Sequence, residues 1–117
     1  MEAYPLLNRC AVVITPKSPF WNWVNTTSKM DDNFLFKATG DSTIYLVPDY
    51  ESEADINLAI KNYITQNYEA IFINELEAWN MDPLSFPEIT HDRFTEWFAV
   101  TTHTLIFDMV KKSLKRQ

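Results

Sequence analysis

The sequence predicts an α+β (or α/β) fold: a three- to four-stranded sheet packed by helices, in the order β-α-β-β-α-α-α-β. Three observations lead there. β-Branched runs open and close the chain, at residues 6–15 and 99–109. Between them apolar side chains recur at helical spacing, as in Phe20, Trp23 and Val24, or Ile56, Ala59, Ile60, Tyr63 and Ile64. A hydrophobic content of 46%, with 15% aromatics in 117 residues, supplies one core. A single domain is expected over residues 1–110, with a basic tail at 111–117.

Residues 6–15, LLNRCAVVIT, read as the first strand, and apolar groups on both parities after Arg9 predict cover on both faces. Pro16 ends it. Ser18-Pro19 then starts a helix, with serine as N-cap and proline at N1, where a missing N–H costs nothing. Phe20, Trp23 and Val24 form its inward stripe and Trp21 lies at the rim; the helix frays through Asn25-Thr26-Thr27. Residues 33–38 and 43–48 flank Thr39-Gly40-Asp41-Ser42 as a hairpin, because Gly40 supplies a positive φ at the turn.

After Pro48, Ser52 and Asp55 resemble a capping box ahead of the Ile56 face. A second helical face comprises Tyr68, Ile71, Phe72, Leu76 and Trp79. Gln66-Asn67 is the expected break between the two, with one continuous helix as the alternative. Asn80 to Pro87 reads as a loop. Thr90 caps a short helix carrying Phe94, Trp97 and Phe98. The last strand, Ala99 to Met109, has apolar groups on both faces and is expected inside the sheet, and the long connections allow it to lie beside the first strand.

Composition removes several chemistries. Gly40 is the only glycine, so no glycine-rich phosphate loop is possible. One cysteine and two histidines cannot assemble a structural zinc site from Cys and His. Met1 to Leu7 has no basic segment followed by an apolar one, and the longest aliphatic stretch, Ala11 to Ile14, is far short of the roughly 20 residues of a membrane span. Cys10 has no mate and sits in an apolar run, where a thiol behaves as a small hydrophobe. A cytoplasmic location and no membrane are expected. Sixteen acids against ten bases give a net charge of −6. Lys111, Lys112, Lys115 and Arg116 hold four of those bases, so residues 1–110 are more acidic still. A body of that sign repels phosphate backbones, and no nucleic-acid partner is expected.

The pattern Asn8-Arg9-x-Ala11-Val12-Val13-x-x-Pro16-Lys17-x-Pro19-Phe20-x-x-Trp23 opens a longer set of motifs. Tyr45-Leu46-x-Pro48, Asn67-Tyr68-x-x-Ile71-Phe72-x-x-Glu75-Leu76-x-x-Trp79, Trp97-Phe98, and His103 with Asp108 continue it. Over most of its length the chain resembles an uncharacterised family of small, acidic bacterial cytosolic proteins with no assigned activity. The resemblance implies a bacterial cytosolic origin and carries over no functional residue, cofactor or ligand.

Four groups of residues have chemical potential, each with a plainer structural role beside it. Asp49, Glu51, Glu53 and Asp55 could hold a hard cation, yet acids also gather at helix N-termini because the macrodipole favours them. His103 with Asp108, Glu75 or Glu96 could act as a general base, but no nucleophile motif accompanies them. His91, at a helix start, is expected to be exposed. Arg9 and Lys17, bracketing the first strand, could clamp an anion, or pair with local carboxylates. Trp21 is the aromatic that core packing explains least, which makes it the candidate interface residue; Trp23 and Trp79 are expected in the core.

The sequence therefore predicts a non-catalytic protein-interaction or regulatory module without a cofactor, binding another protein or a second copy of itself. The alternatives are a small enzyme using His103 with a carboxylate on an anionic substrate held by Arg9 or Lys17, and an acidic mimic of nucleic acid.

Overall fold

The structure, a computed structural model, describes residues 5–28, 42–50 and 52–116. The expected strand at 33–38 and the Gly40-Asp41 turn lie outside the described residues. Within them the order is β1 (Arg9–Pro16), α1 (Ser18–Ser28), β2 (Thr43–Pro48), α2 (Ile56–Glu77), a 3-10 turn (Pro83–Ser85), α3 (His91–Trp97) and β3 (Phe98–His103). The strands form one antiparallel sheet, β2-β1-β3, and the fold is α+β.

Register decides which side chains share a face. Cys10, Val12 and Ile14 of β1 stand opposite Val47, Tyr45 and Thr43 of β2; Val12 and Ile14 also face Thr102 and Val100 of β3. These point toward the helices, and Cys10, Val12, Ile14 and Val47 join the core with Phe20, Trp23 and Val24 of α1. The other face carries Ala11, Val13 and Thr15 with Leu46, Ile44, His103, Thr101 and Ala99. No helix among the described residues adds a side chain to the core from that side. Among the described residues, cover on both faces of β1 is thus corrected to helix cover on one.

The first and last strands are neighbours, as their long connections allow, but β3 is an edge rather than an inner strand among the described residues. The alternation in 99–109 reflects β-branching more than burial. Thr101, Thr102 and Thr104 have the stiff χ1 that suits a strand, their side chains are exposed, and the Thr102 hydroxyl donates to Asn57 Oδ1 at 3.4 Å. Beyond His103 the β1–β3 ladder continues more loosely: the Leu7 N–H donates to Ile106 O (2.7 Å), the Asp108 N–H to Pro5 O (3.0 Å), and Leu6 bridges Phe107.

The expected break at Gln66-Asn67 is absent, and α2 runs unbroken over Ile56–Glu77. Asn67 donates its side-chain amide to Tyr63 O (2.8 Å), one turn back, so its polar group is satisfied inside the helix. The start also differs. Asp55, rather than Ser52, is the N-cap, and its Oδ1 accepts the Leu58 N–H at 3.0 Å. Thr90 caps α3 as expected, accepting the Arg93 N–H at 3.1 Å. An aromatic cluster centred on Phe98 locks the three helices to the sheet, with ring centroids 5.2 Å from Phe20, 5.4 Å from Phe72 and 5.3 Å from Phe94. Trp23 donates its indole N–H to Ser85 O (2.8 Å) and so ties the 3-10 turn to α1.

Candidate functional site

The fold separates the residues of the enzymatic alternative. His103 is exposed on the open face of the sheet, opposite Ala11. Glu75 projects from α2 onto the other face, 6% exposed, where its oxygens accept the Tyr45 hydroxyl (2.6 Å) and the Thr43 hydroxyl (3.1 Å). The sheet itself stands between them. Asp108 lies past the end of β3, held by its N–H to Pro5 O, and its Oδ1 accepts the Val110 N–H at 2.9 Å. Glu96 is exposed on α3.

Arg9 and Lys17 sit at opposite ends of the eight-residue β1, roughly 25 Å apart along an extended strand. Arg9 donates to the backbone and side-chain oxygens of Asn8 (2.7 and 2.8 Å). Lys17 donates from Nζ to Thr95 O (3.2 Å) in the last turn of α3, where the carbonyls lack helical partners and attract a cation. One anion cannot bridge the pair.

In the acidic cluster, Glu51 lies outside the described residues and Asp55 is committed to capping α2. The Asp49 carbonyl accepts the buried Cys10 thiol at 3.4 Å. Burial, and then the Asp49 charge, push that thiol above its ordinary value, away from the reactive thiolate. Among the described residues no group of three or more metal-capable side chains is assembled. His91 is exposed, with its ring edge-on to Tyr68 at 5.3 Å.

Trp21 is not at the surface. It is 5% exposed, edge-on to Trp79 at 5.4 Å and to Phe20 at 5.4 Å. Its indole N–H is buried and has no hydrogen-bond partner among the described residues. A buried orphan donor costs about 1–3 kcal/mol, so Trp21→Phe, which removes that donor and keeps an aromatic ring there, offsets its own lost packing. Its expected effect is within about 1 kcal/mol of the parent in urea unfolding. A loss above about 3 kcal/mol would show that the indole ring is held mainly by packing, with no gain from deleting the donor.

The apolar surface lies elsewhere. Ile44 is 65% exposed and Leu46 49%, both on β2 and on the open face. Val13 lies half-buried between Ile44 and Thr101, and Ala11 is covered by its cross-strand neighbours Leu46 and His103. Arg9 closes one end, and Thr15 with Ser42, their hydroxyls 2.8 Å apart, closes the other. No carboxylate stands on this face in the three strands, in a chain that has sixteen. The signal was present in the sequence: Ile44, Leu46 and the core residues Tyr45 and Val47 make TIYLV apolar on both parities, as one residue set for the core and one for something else.

An apolar concavity of about 330 Å³ lies on the opposite side, between α2, α3 and β3. Ile64, Phe94 and Val100 line it, with Lys61 and His91 among the polar residues around them. A second cleft, about 490 Å³, lies beside Tyr50, Glu53, Asp55 and Tyr63. Tyr50 adopts a positive φ of 49°, unusual for a bulky residue, and its ring packs edge-on against Tyr63 at 6.3 Å.

No helix among the described residues is long and apolar enough to cross a membrane. Compared with protein-family models, curated proteins and solved structures, the chain matches none. The fold and surface together define an α+β domain in which, among the described residues, the helices cover one face of the sheet.

Proposed function

We propose that this chain is a non-catalytic protein-interaction module, working in the cytoplasm, whose docking surface is the open face of the sheet. The observation that carries the reading is the exposure of Ile44 and Leu46 beside Val13 on a face to which the three described strands bring no carboxylate. A contiguous apolar patch on an otherwise charged surface is the usual mark of a site where another protein is covered. Its composition fits a partner with an apolar surface of its own. Arg9 and His103 at the margin would meet acidic groups on that partner and set orientation and on-rate rather than most of the affinity. Glu75 supports the reading from the other side, because its oxygens serve Tyr45 and Thr43 and hold the strand that displays Ile44 and Leu46.

The test is affinity capture from the native host with the parent chain and with the double variant Ile44→Asp/Leu46→Asp. A control, Leu58→Asp, alters an exposed apolar residue on α2 instead. The expected result is a protein retained by the parent and by the control and lost from the double variant. Identical retention by all three would remove the open face as the docking surface.

A further inference from the structure

The edge of β3 that faces away from β1 has a composition that proteins normally avoid. From Phe98 to Phe107 the sequence is FAVTTHTLIF, with no glycine, no proline and no Lys, Arg, Asp or Glu. One edge of this run is used by β1 and, past His103, by residues 5–7. Among the described residues the other edge pairs with no strand. Side chains from Val100 to Leu105 are exposed, and Phe107 is 56% exposed. Edge strands are usually guarded by lysines, prolines, bulges or a covering element, since an unpaired row of N–H and C=O groups is a template for another strand. Here the ten residues, rich in β-branched and aromatic side chains, carry no lysine or proline, and no strand among the described residues covers them.

We infer that two copies of this chain associate by antiparallel pairing of their β3 edges, which joins the two sheets into one across a twofold axis. Two features select a second copy as the occupant. Pairing of a strand with itself in antiparallel sense is isologous, and the 98–107 run brings no like charges into opposition at neutral pH. The same alignment carries residues beyond 107 of one copy past the start of β3 in the other, where α3 enters the strand. Lys112, Lys115 and Arg116 are exposed in that trailing segment, which has no acid after Asp108; Asp92 and Glu96 are exposed on α3. Opposite charges therefore meet at both ends of the interface. The twofold axis leaves both open sheet faces accessible, so the inference rests on the reading of the chain as an interaction module while using a different surface.

Sedimentation of the full chain over a range of concentrations tests it. The expected result is a species of twice the single-chain mass that dissociates on dilution, with a dissociation constant that rises with salt. Thr102→Lys/Thr104→Lys places lysines of both copies around the axis, and weakens association roughly tenfold or more. Lys112→Glu/Lys115→Glu/Arg116→Glu weakens it too and removes the salt dependence. Hydrogen exchange of the parent chain provides a readout independent of any variant: the outward amides of 98–107 gain protection as concentration rises. A single-chain mass at every concentration, or exchange at 98–107 that ignores concentration, overturns the inference. Ile44→Asp/Leu46→Asp separates the two surfaces. It should leave the dimer intact while abolishing capture of the partner, whereas a monomer that still captures its partner overturns the edge pairing alone.

Discussion

Replacing Phe98 with alanine is expected to cost about 3–5 kcal/mol, the largest effect of any single truncation in this chain. Phe98 is the first residue of β3 and the last beside α3, so its ring is fixed by both elements. Its centroid lies between 5.2 and 5.4 Å from rings on α1, α2 and α3. Truncation would open a cavity bounded by three helices and a sheet, which cannot all collapse inward together. A domain of this size holds about 5–15 kcal/mol in total, so the variant would be marginal or unfolded. Phe98→Leu keeps most of the volume and should lose under about 2 kcal/mol. Urea unfolding followed by tryptophan fluorescence separates the two. Equal midpoints for the alanine and leucine variants would contradict the role given to this ring.

Tyr45→Phe is expected to cost about 1.5–3 kcal/mol, although it deletes one oxygen atom. The Tyr45 hydroxyl donates to Glu75 Oε2 at 2.6 Å and accepts from the Asn74 amide at 2.8 Å. Without it, a carboxylate 6% exposed retains the Thr43 hydroxyl as its one remaining hydrogen-bond donor among the described residues. A Tyr45→Phe/Glu75→Leu double variant, which removes both polar partners, should recover part of the loss. Alkaline pH offers a second readout. Burial above all holds the Tyr45 phenol well above its ordinary value; the Asn74 amide pulls the other way, and the hydrogen bond and charge of Glu75 add to the rise. The folded state therefore keeps its proton at a pH where the unfolded chain releases it. The contribution is fully present below about pH 10 and is lost as pH rises above that. Tyr45→Phe should flatten that alkaline decline; an unchanged slope would show that the phenol is not shielded in the fold.

Several local signals were read correctly, although Ser18 is the first residue of α1 rather than its cap and Asp55, not Ser52, caps α2. Phe20, Trp23 and Val24 are buried on one side of α1, Thr90 caps α3, and the first and last strands are neighbours. Misreadings arose where a polar side chain had two ways to be satisfied. Asn67 can end a helix or bond the carbonyl one turn back, and packing of Ile64, Ile71 and Phe72 on one continuous face favours the second. Trp21 sits about 100° from Phe20 around the helix, a position that is rim or core depending on what lies beside it. Trp79, fifty-eight residues later, makes it core.

The candidate surfaces were less legible, because a strand's pattern states that a residue is apolar and not which neighbour covers it. TIYLV and AVTTHTLIF both carry apolar groups on both parities. Only the sheet order reveals that Ile44 and Leu46 face away from the helices and that β3 has an unpaired edge among the described residues. Likewise no spacing could show that Glu75 meets Tyr45 and Thr43 across thirty residues.

By itself the sequence determined the class of fold and most of the described elements, since periodicity, caps and prolines act over a few residues and are written locally. It also set the charge, and with it the acidic body and basic trailing segment. The tertiary structure alone decided which strand lies in the middle, which face is covered, and which of the aromatic and ionisable groups are inside. Those outcomes depend on contacts between distant segments, which no local pattern encodes.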